Sequence, residues 1–541
     1  MGYPEKEDTF TNQEVNRGWQ KQAREEVSYW IPEADISGTL PVGLYGTFFR
    51  NGPGNDEIGG VKLKHPIDGD GLVCALTFTG AGEVHFKSRF VQTEHRLVEQ
   101  KLSKLQYRGG MGTNPQGVVQ NTWNLTKYMI TPSGGKNENL RRLMNYRNPS
   151  NTNVFYWEGK LLTSYETGLP HCLDPVTLET LGRDDLRNTL TLRSFGAHFR
   201  YDPSQDSLVT LSVKPGLGNE KPRLGINEYG RKWELKYNQV FNIPGLNYAH
   251  DFLLSKHFYL VHMSPFVKIS RWLFYQFVLG LNSPGESMKY YADLPSRIIA
   301  IPRRPEYQKL LGNKPWLELD VDPCHIFHFT NIAEISEGSE NGEPTRLTFE
   351  AVTLGKNFNM NFDKGVFLSN YSVEPGVLSS FDIDLIDCKC TQRKAHVASV
   401  EFPSVHPYRH GIYTRYSYCV ASDDKQNPIP FTSILKYDRE SQNTELWKSH
   451  GVVGEPVFVP RDGYSSSGNE EDDGWVLAQV YLPKQHMTDF VILDAKNLAN
   501  GPIATIHLKH HVPYGFHGTF TPEVFGHADV RGGMNLRPAK L

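Results

Sequence analysis

The sequence predicts an all-β protein, and we favour a β-propeller from the pattern of its strands. Short runs rich in β-branched and aromatic residues recur along the chain, and turn residues separate them at intervals of roughly ten residues. The chain of 541 residues exceeds the usual size of one core, yet Gly and Pro are scattered and no composition break divides it. We therefore expect one large closed array of strands.

The predicted strands are spread over the whole chain: GTFFRNGPG (46–54), LVCALTFTGAGEVHFKSRFV (72–91), NVFYWEGKLLTSYETG (153–168) and GWVLAQVYLP (474–483). The turns between predicted strands include TGAG, DPVT (174–177) and DPSQD (202–206). Many short antiparallel strands must bury their faces without leaving edges open, and radial repetition of small sheets does this at any length. Helices are expected only as minor insertions, and the periodicity does not give the number of blades.

Charge and composition exclude some classes of function. The formal charge is −3 and the basic residues form no run, so we expect no nucleic-acid partner. Six cysteines are few for this length, and the close pair CKC (388–390) lacks the spacing of common zinc or redox motifs. The N-terminus MGYPEKEDTF has no apolar signal core. A reducing cytoplasm is the expected compartment.

Four histidines lie in similar surroundings although they are far apart in the sequence. His198 (SFGAHFRYDP), His250 (NYAHDFLL), His328 (HIFHFTNIAE) and His517 (HHVPYGFHGTF) are each flanked by small or apolar residues. The inner strands of a propeller converge on its axis, so distant residues can meet there. Neutral imidazoles bind iron, copper or zinc and leave a divalent ion electrophilic. We therefore predict a metal site formed by these four side chains.

Several motifs together resemble those of the carotenoid cleavage oxygenases, and most of all the cyanobacterial-type apocarotenoid oxygenases. The resemblance covers residues 40 to 520 and rests on GLYGTFFRNGPG (43–54), HPIDGDGLV (65–73), NTNVFYWEGKLLTSYETGLPHCLDPVTLETLG (151–182), EFPSVHP (401–407), GEPVFVPRDG (454–463), EEDDGWVL (470–477) and HHVPYGFHGTF (510–520).

The resemblance implies a seven-bladed β-propeller with a cap of helices and loops over one face. It predicts an N-terminal extension (1–40), one oxygenase domain (41–522) and a C-terminal tail (523–541). It also implies one Fe(II) ion per chain on His198, His250, His328 and His517, with dioxygen as co-substrate. His325, His507, His510 and His511 fall outside the matching positions, so we expect them to be strand or surface residues.

Further side chains around the iron are implied by the same resemblance. Glu166, Glu401 and Glu455 match carboxylates that hold three of the four histidine rings. Thr152 matches a threonine whose methyl group restricts where oxygen binds. Tyr165, Tyr248 and Phe327 adjoin these residues in sequence and are predicted to line an apolar tunnel for a polyene.

The implied reaction inserts dioxygen into a conjugated carbon–carbon double bond and yields two carbonyl products. Stilbene-cleaving members carry a lysine immediately before the glutamate matched by Glu166, whereas this chain has Tyr165. This favours an apocarotenoid or carotenoid cut near its central (15,15') bond, giving retinal-like aldehydes. A stilbene oxygenase, a zinc hydrolase using the same four histidines and a ligand-binding propeller without activity remain alternatives.

A membrane surface is the expected partner, because the substrate class is insoluble in water. The segment SPFVKISRWLFYQFVLGLN (264–282) combines apolar and aromatic side chains with Lys268 and Arg271. It is shorter than the roughly twenty apolar residues that span a bilayer, but it suits an interfacial helix. We thus expect a cytoplasmic, peripherally membrane-associated protein.

The C-terminal tripeptide AKL resembles a peroxisomal targeting signal if the source is a eukaryote. The sequence leaves the oligomeric state open.

Overall fold

Seven β-sheets arranged as the blades of a propeller make up most of the protein. The computed structural model describes residues 10–20, 26–114, 123, 126, 146–216, 221–265, 276, 283–287, 290–355, 375–422, 429–461 and 470–526. Within these ranges every strand pairing in a sheet is antiparallel, and the blades have four to six strands. The predicted seven-bladed, all-β fold is confirmed.

Blades 2 to 6 are each built from four consecutive strands. Blade 2 contains β8 (Asn153–Trp157), β9 (Lys160–Ser164), β10 (His171–Leu173) and β11 (Thr180–Arg183). Blade 3 contains β12 (Phe199–Asp202), β13 (Ser207–Lys214), β14 (Arg223–Tyr229) and β15 (Leu235–Phe241). Blade 4 contains β16 (Phe252–Leu254), β17 (Phe258–Met263), β18 (Ser296–Pro302) and β19 (Leu317–Val321).

Blade 5 contains β20 (His325–Ile335), β21 (Arg346–Leu354), β22 (Val377–Asp384) and β23 (Lys389–Ala398). Blade 6 contains β24 (Val400–Ser404), β25 (Tyr416–Ala421), β26 (Ser433–Asp438) and β27 (Thr444–Lys448). In blades 3 to 6 the first strand contacts the first strand of a neighbouring blade, as β16 contacts β12 and β20, and the first strand of blade 2, β8, contacts β33 (His517–Thr521). The ring of first strands therefore surrounds the axis.

Blades 1 and 7 close the ring, because each combines strands from both ends of the chain. Blade 1 contains β1 (Val27–Trp30), β7 (Val84–Phe90), β6 (Gly71–Thr79), β3 (Tyr45–Pro53) and β33 (His517–Thr521). Blade 7 contains β2 (Ile36–Gly38), β32 (Pro502–His507), β31 (Met487–Asp494), β30 (Gly474–Leu482), β28 (Val452–Val453) and β29 (Val457–Pro460). The predicted extension 1–40 thus supplies β1 and β2 to the propeller, while the domain limits themselves stay a prediction.

The hydrophobic core lies between adjacent blades. The largest clusters join blade 1 to blade 7, as with Phe48 and Trp475, and blade 4 to blade 5, as with Leu260 and Phe349. The middle strands of a blade are buried on both faces and are apolar almost throughout. The outer strands instead alternate between more buried and exposed residues. Packing between the blades leaves the axis free for polar side chains.

Helices are few in the part of the chain that the structure describes. The α-helices are α1 (Asn12–Gln20), α2 (Glu94–Leu102) and α3 (Pro284–Ser287). Short 3-10 helices span Glu33–Asp35, Pro66–Asp68, Thr191–Arg193, Arg231–Trp233, Pro305–Leu311, Pro407–Arg409 and Leu498–Asn500. A separate ribbon pairs β4 (Glu57–Ile58) with β5 (Val61–Lys62).

Two insertions, one between β7 and β8 and one between β17 and β18, contact each other. The amide of Gly285 donates to the carbonyl of Gly110 over 3.0 Å, and Lys64 and Glu286 pair at 3.3 Å. Among the described helices none is long and apolar enough to cross a membrane. The segment 264–282 falls outside the described residues except at positions 264, 265 and 276, as does the terminal AKL.

Candidate metal centre

The four predicted histidines lie on or beside innermost strands of four different blades. His198 directly precedes β12, His250 lies two residues before β16, and His328 is within β20. His517 begins β33, where antiparallel pairing with β3 sets it opposite Asn51. The strand β33 closes the ring of blades and thereby places the fourth imidazole, that of His517, at the axis. Residues separated by more than 300 positions are brought to one point on the axis.

The Nε2 atoms of the four imidazoles converge. Nε2 of His250 lies 3.0 Å from that of His198 and 3.2 Å from that of His328, which is 3.2 Å from Nε2 of His517. All four ligand atoms lie within 4.8 Å of one another, and this is the group of potential metal ligands found among the described residues. His198, His328 and His517 are buried and His250 nearly so.

Three of these rings are held from behind by the predicted glutamates. Nδ1 of His328 donates to Glu401 over 2.6 Å, and Nδ1 of His517 donates to Glu455 over 2.8 Å. Nδ1 of His250 donates to Glu166.

An ionised carboxylate only accepts hydrogen bonds, so the ring proton of each of these three histidines resides on Nδ1. In the neutral tautomer Nε2 then carries a lone pair. Lone pairs therefore face one another across about 3 Å, and such an arrangement is repulsive unless a cation lies between them. The donor set fits a transition-metal ion that accepts imidazole nitrogen.

The ionisation states agree with this arrangement. Burial alone would raise the pKa of Glu166, Glu401 and Glu455, but the histidines that face them hold each pKa below its ordinary value. Burial lowers the pKa of His517 to about 4, although Glu455 opposes this shift. The pKa of His198 falls well below its ordinary value through burial and the neighbouring imidazoles.

His328 differs from His198 and His517 in the direction in which its pKa is shifted. Burial alone would lower its pKa, but the charge and the hydrogen bond of Glu401 outweigh burial and raise it. His198 differs in another way, because the described residues place no glutamate behind it, and its ring packs edge-on against those of His517 and His250 at 4.3 and 4.7 Å.

The three glutamates each have a different second partner. Arg50 forms an ion pair with Glu455 at 2.8 Å. The phenol of Tyr248 donates to Glu166 over 3.0 Å. The backbone amide of Phe402 donates to Glu401.

Arg50 and Phe402 were not predicted as parts of the site. Phe402 has a left-handed backbone, with φ of 49°, and strained residues of this kind cluster at functional sites. Its ring stacks on His328 with 5.1 Å between centroids. The sequence signal that could have identified Phe402 is its position directly after Glu401. For Arg50 the signal was the motif GTFFRNGPG, which was used for the fold and the resemblance alone.

Three of the predicted pocket residues contact histidines of the centre. Phe327 meets the ring of His250 edge-on at 5.7 Å, and Tyr248 lies stacked beside it at 6.5 Å. Thr152 accepts a hydrogen bond at its carbonyl from the amide of His517 over 3.2 Å, and its hydroxyl donates to Asn151 over 3.3 Å.

Tyr165 is buried, and its phenol lies close to Gly110 in the insertion between β7 and β8. A Cβ atom added at Gly110 would lie 2.7 Å from its phenol oxygen, so that glycine is what gives the ring its room. Burial raises the pKa of Tyr165, with Asp68 and Glu166 adding to the effect, so its phenol is neutral.

The neighbouring histidines lie apart from the four converging nitrogens. Nδ1 of His325 lies 2.6 Å from Oγ of Ser264, and His507 pairs with Asp489 at 3.0 Å in blade 7. His510 contacts the phenol of Tyr29 over 2.9 Å. The ring of His511 packs against Tyr481 and His486. In position, all four agree with the expectation that they do not belong to the metal site.

Comparison with known proteins gives matches over nearly the whole chain. The family model described as RPE65, retinal pigment epithelial membrane protein, matches residues 20–522. The apocarotenoid-15,15'-oxygenase of Synechocystis is 35% identical over 523 residues, covering 95% of this chain and 97% of that protein. The isoeugenol monooxygenase of Pseudomonas nitroreducens is 25% identical over 506 residues, covering 91% of this chain and 94% of that protein.

Among solved structures, the crystal structure of the cobalt-substituted Synechocystis ACO superposes with a TM-score of 0.81 at 32% identity. That match covers 94% of this chain and 99% of the other. The similarity thus extends over the whole propeller and is not confined to the axis.

Proposed function

The chain belongs to the RPE65 (retinal pigment epithelial membrane protein) and carotenoid oxygenase family, and on this premise we propose that it is an Fe(II)-dependent dioxygenase that cleaves an apocarotenoid. The bond cut would be a conjugated double bond at or near the 15,15' position, and the products would be retinal-like aldehydes. Membership supports the oxygenase class. The identities of the metal and of the substrate are the parts that we propose.

The observation that carries the proposal is the convergence of four imidazole Nε2 atoms, with a carboxylate hydrogen-bonded to the Nδ1 atom of three of the four rings. Iron, copper and zinc all accept imidazole, but the relationship to oxygenases favours a redox-active ion. Bound to His198, His250, His328 and His517, Fe(II) would supply the redox chemistry that makes dioxygen reactive toward an alkene.

The protein's own contribution would be geometry and exclusion of water. Glu166, Glu401 and Glu455 fix the ring orientations, which keeps the four nitrogens in place before a metal arrives. Thr152 is joined to the site through its carbonyl, and its hydroxyl is bonded to Asn151. Its methyl group is thus the part of the side chain that is left to limit access to the metal, as the resemblance implies.

The substrate class is argued from the walls of the site. Phe327, Phe402 and Tyr248 present aromatic faces within about 7 Å of the metal-facing rings, and aromatic rings pack well on an extended polyene. Tyr165 places a neutral phenol where a stilbene-cleaving enzyme would carry a lysine. A neutral aromatic wall suits an apolar polyene better than a phenolate.

A phenolic alkene is the second candidate substrate. A relative named isoeugenol monooxygenase is 25% identical, which supports chemistry on small phenolic alkenes within the family. The apocarotenoid oxygenase of Synechocystis is 35% identical, so we rank the polyene first.

The test is product analysis by chromatography and mass spectrometry. The Fe(II)-loaded protein is incubated in air with an apocarotenal and, separately, with a hydroxylated stilbene. Retinal-like aldehyde from the first alone supports the proposal. Aromatic aldehydes from the stilbene alone overturn the substrate and keep the oxygenase. A protein that retains iron but forms no product from either would overturn the proposed activity.

Work at a membrane surface is a further part of the proposal, because a polyene partitions into lipid. The apolar composition of segment 264–282 supports it. A variant carrying serine at Trp272, Phe274 and Phe277 is expected to bind anionic liposomes less than the wild type does. Equal sedimentation of the two proteins with liposomes would remove this role. A cytoplasmic location is proposed with it, and a peroxisomal one only for a eukaryotic source.

A further inference from the structure

Arg50 is a buried arginine whose charge faces the metal centre through one glutamate. Its side chain is 2% exposed, and Nη1 donates to Oε2 of Glu455 over 2.8 Å. The other oxygen of Glu455 accepts from Nδ1 of His517 over 2.8 Å. The guanidinium and the imidazole are therefore joined by a single carboxylate, and Arg50 has one residue between itself and a proposed metal ligand.

Glycine residues create the space that this guanidinium occupies. A Cβ atom at Gly515 would lie 3.0 Å from Nη2 of Arg50, and one at Gly454 would lie 3.1 Å from it. A Cβ atom at Gly518 would lie 2.7 Å from Cδ of Arg50. Nη2 also donates to the carbonyl of Phe516 over 3.3 Å. The backbone from 515 to 518 thus encloses the guanidinium of Arg50 beside β33, the strand that begins with His517.

The formal charges around the axis balance only when the metal ion is divalent. Glu166, Glu401 and Glu455 contribute three negative charges as carboxylates, because each accepts a hydrogen bond from Nδ1 of a histidine and Glu455 also pairs with Arg50. Arg50 contributes one positive charge and remains protonated in proteins. The next charged pair, Arg200 with Asp251 at 2.5 Å, is neutral in itself.

We propose that Arg50 is a positioning residue that makes the buried site electrically neutral with a divalent ion and so retains the iron as Fe(II). This inference rests on the proposed iron site and deepens it. Oxidation by dioxygen removes one electron from the ion, reduces dioxygen to superoxide, and leaves one uncompensated positive charge. An uncompensated charge is costly inside a protein. Without Arg50 the same oxidation would produce the neutral state, so Fe(II) would be lost more easily.

The test compares rates of Fe(II) loss in air without substrate. Each protein is loaded with Fe(II) anaerobically, its iron content is measured, and the remaining Fe(II) is followed with a ferrous chelator while Fe(III) is followed by electron paramagnetic resonance. Arg50→Met removes the charge and Arg50→Lys retains it. Arg303→Met is the matched control, because Arg303 is a buried arginine paired with Asp202 and Glu228 outside the centre.

Arg50→Met is expected to oxidise on the order of tenfold faster than the wild type or more. Arg50→Lys and Arg303→Met should stay near the wild-type rate. The double variant Arg50→Met, Glu455→Gln removes one charge of each sign, so it should oxidise at close to the wild-type rate. The single variant Glu455→Gln should oxidise more slowly than the wild type, because Arg50 is then in excess.

This order of rates can be tested even if Arg50→Met fails to fold. Comparison of Glu455→Gln with the double variant then isolates the charge of Arg50, and equal rates in the two would overturn the inference. A wild-type rate in folded Arg50→Met would overturn it as well, as would a double variant that oxidises as fast as Arg50→Met. A wild-type protein that retains no iron would instead overturn the iron site proposed above.

Discussion

Tyr248 donates a hydrogen bond from its phenol to Oε1 of Glu166 over 3.0 Å. The same oxygen accepts from Nδ1 of His250, so the tyrosine helps to orient the carboxylate that orients a proposed ligand. From the sequence, Tyr248 was predicted only as an apolar wall of the substrate tunnel. Its position in the structure gives it a polar contact in addition to its aromatic face.

Tyr248→Phe is expected to weaken iron binding by about tenfold or more, which corresponds to the loss of one hydrogen bond to an ionised carboxylate. The aromatic ring is retained, so KM should change less than the metal affinity. Anaerobic competition with a chelator measures the affinity. Tyr165→Phe is the control, because its phenol has no such contact with a glutamate among the hydrogen bonds described, and equal losses in both variants would contradict the role of Tyr248.

His328→Ala is expected to abolish stoichiometric iron binding and activity, whereas His325→Ala should retain both. The two histidines lie three residues apart in β20, but Nε2 of His328 faces two other imidazoles and Nδ1 of His325 lies against Ser264. Iron content after anaerobic loading, with product formation, distinguishes them. Similar iron losses in the two variants would refute the assignment of the ligands.

The fold could be predicted from the sequence because it depends on local patterns. The runs at 46–54, 72–91, 153–168 and 474–483 became strands, since β-branched and aromatic residues between turn residues favour extended chains. The number of blades came from the resemblance alone. The contribution of β1 and β2 to blades 1 and 7 could not be predicted, because short edge strands carry little pattern and depend on pairing with distant strands.

The four histidines and three glutamates were predicted from their local sequence contexts and from the resemblance, and the structure brings the ligand atoms of the four histidines together. Arg50 and Phe402 were missed, since their roles arise from contacts between blades and leave no local trace. Arg50 contacts a residue more than 400 positions away, and Phe402 acts through its left-handed backbone. Contacts of this kind between residues of different blades are set by the closure of the propeller ring, which the local sequence does not record.

Glu401→Gln is expected to lower iron affinity by on the order of tenfold or more, because carboxylates that orient a ligating histidine typically have effects of this size. Glu334→Gln is the matched control. Glu334 holds His257 at 2.6 Å in the same way as Glu401 holds His328, but His257 is not one of the converging histidines. Chelator competition on both variants is the measurement, and an unchanged affinity in Glu401→Gln would remove its proposed role.

Tyr165→Lys is expected to reduce kcat/KM for an apocarotenal by on the order of tenfold or more, because a buried ammonium group would have to be desolvated beside the polyene. Tyr165→Phe should stay within about threefold of the wild type, since the phenol is neutral and the aromatic face is kept. Steady-state kinetics on both variants provide the test. An apocarotenal rate unaffected by the lysine would place the substrate elsewhere.

Metal affinity is expected to rise with pH through the neutral range. The pKa of His328 is raised because Glu401 outweighs burial, so in the metal-free protein its Nε2 is protonated below that pKa, and a metal ion must displace this proton. Affinity should therefore increase by about tenfold per pH unit below the pKa and become constant above it.

His517, which faces His328, and His198, whose ring lies nearby, do not oppose this trend. Burial keeps the pKa of His517 at about 4, and that of His198 is lowered as well, so both rings are neutral near neutral pH.

The test measures the binding of Co(II), which avoids oxidation, under anaerobic conditions between about pH 6 and about pH 8. Glu401→Gln should move the rise to lower pH, because it removes the charge that raises the pKa of His328. An affinity that is constant over this range in the wild type, or a pH profile that Glu401→Gln leaves unshifted, would show that proton displacement from His328 does not limit metal binding.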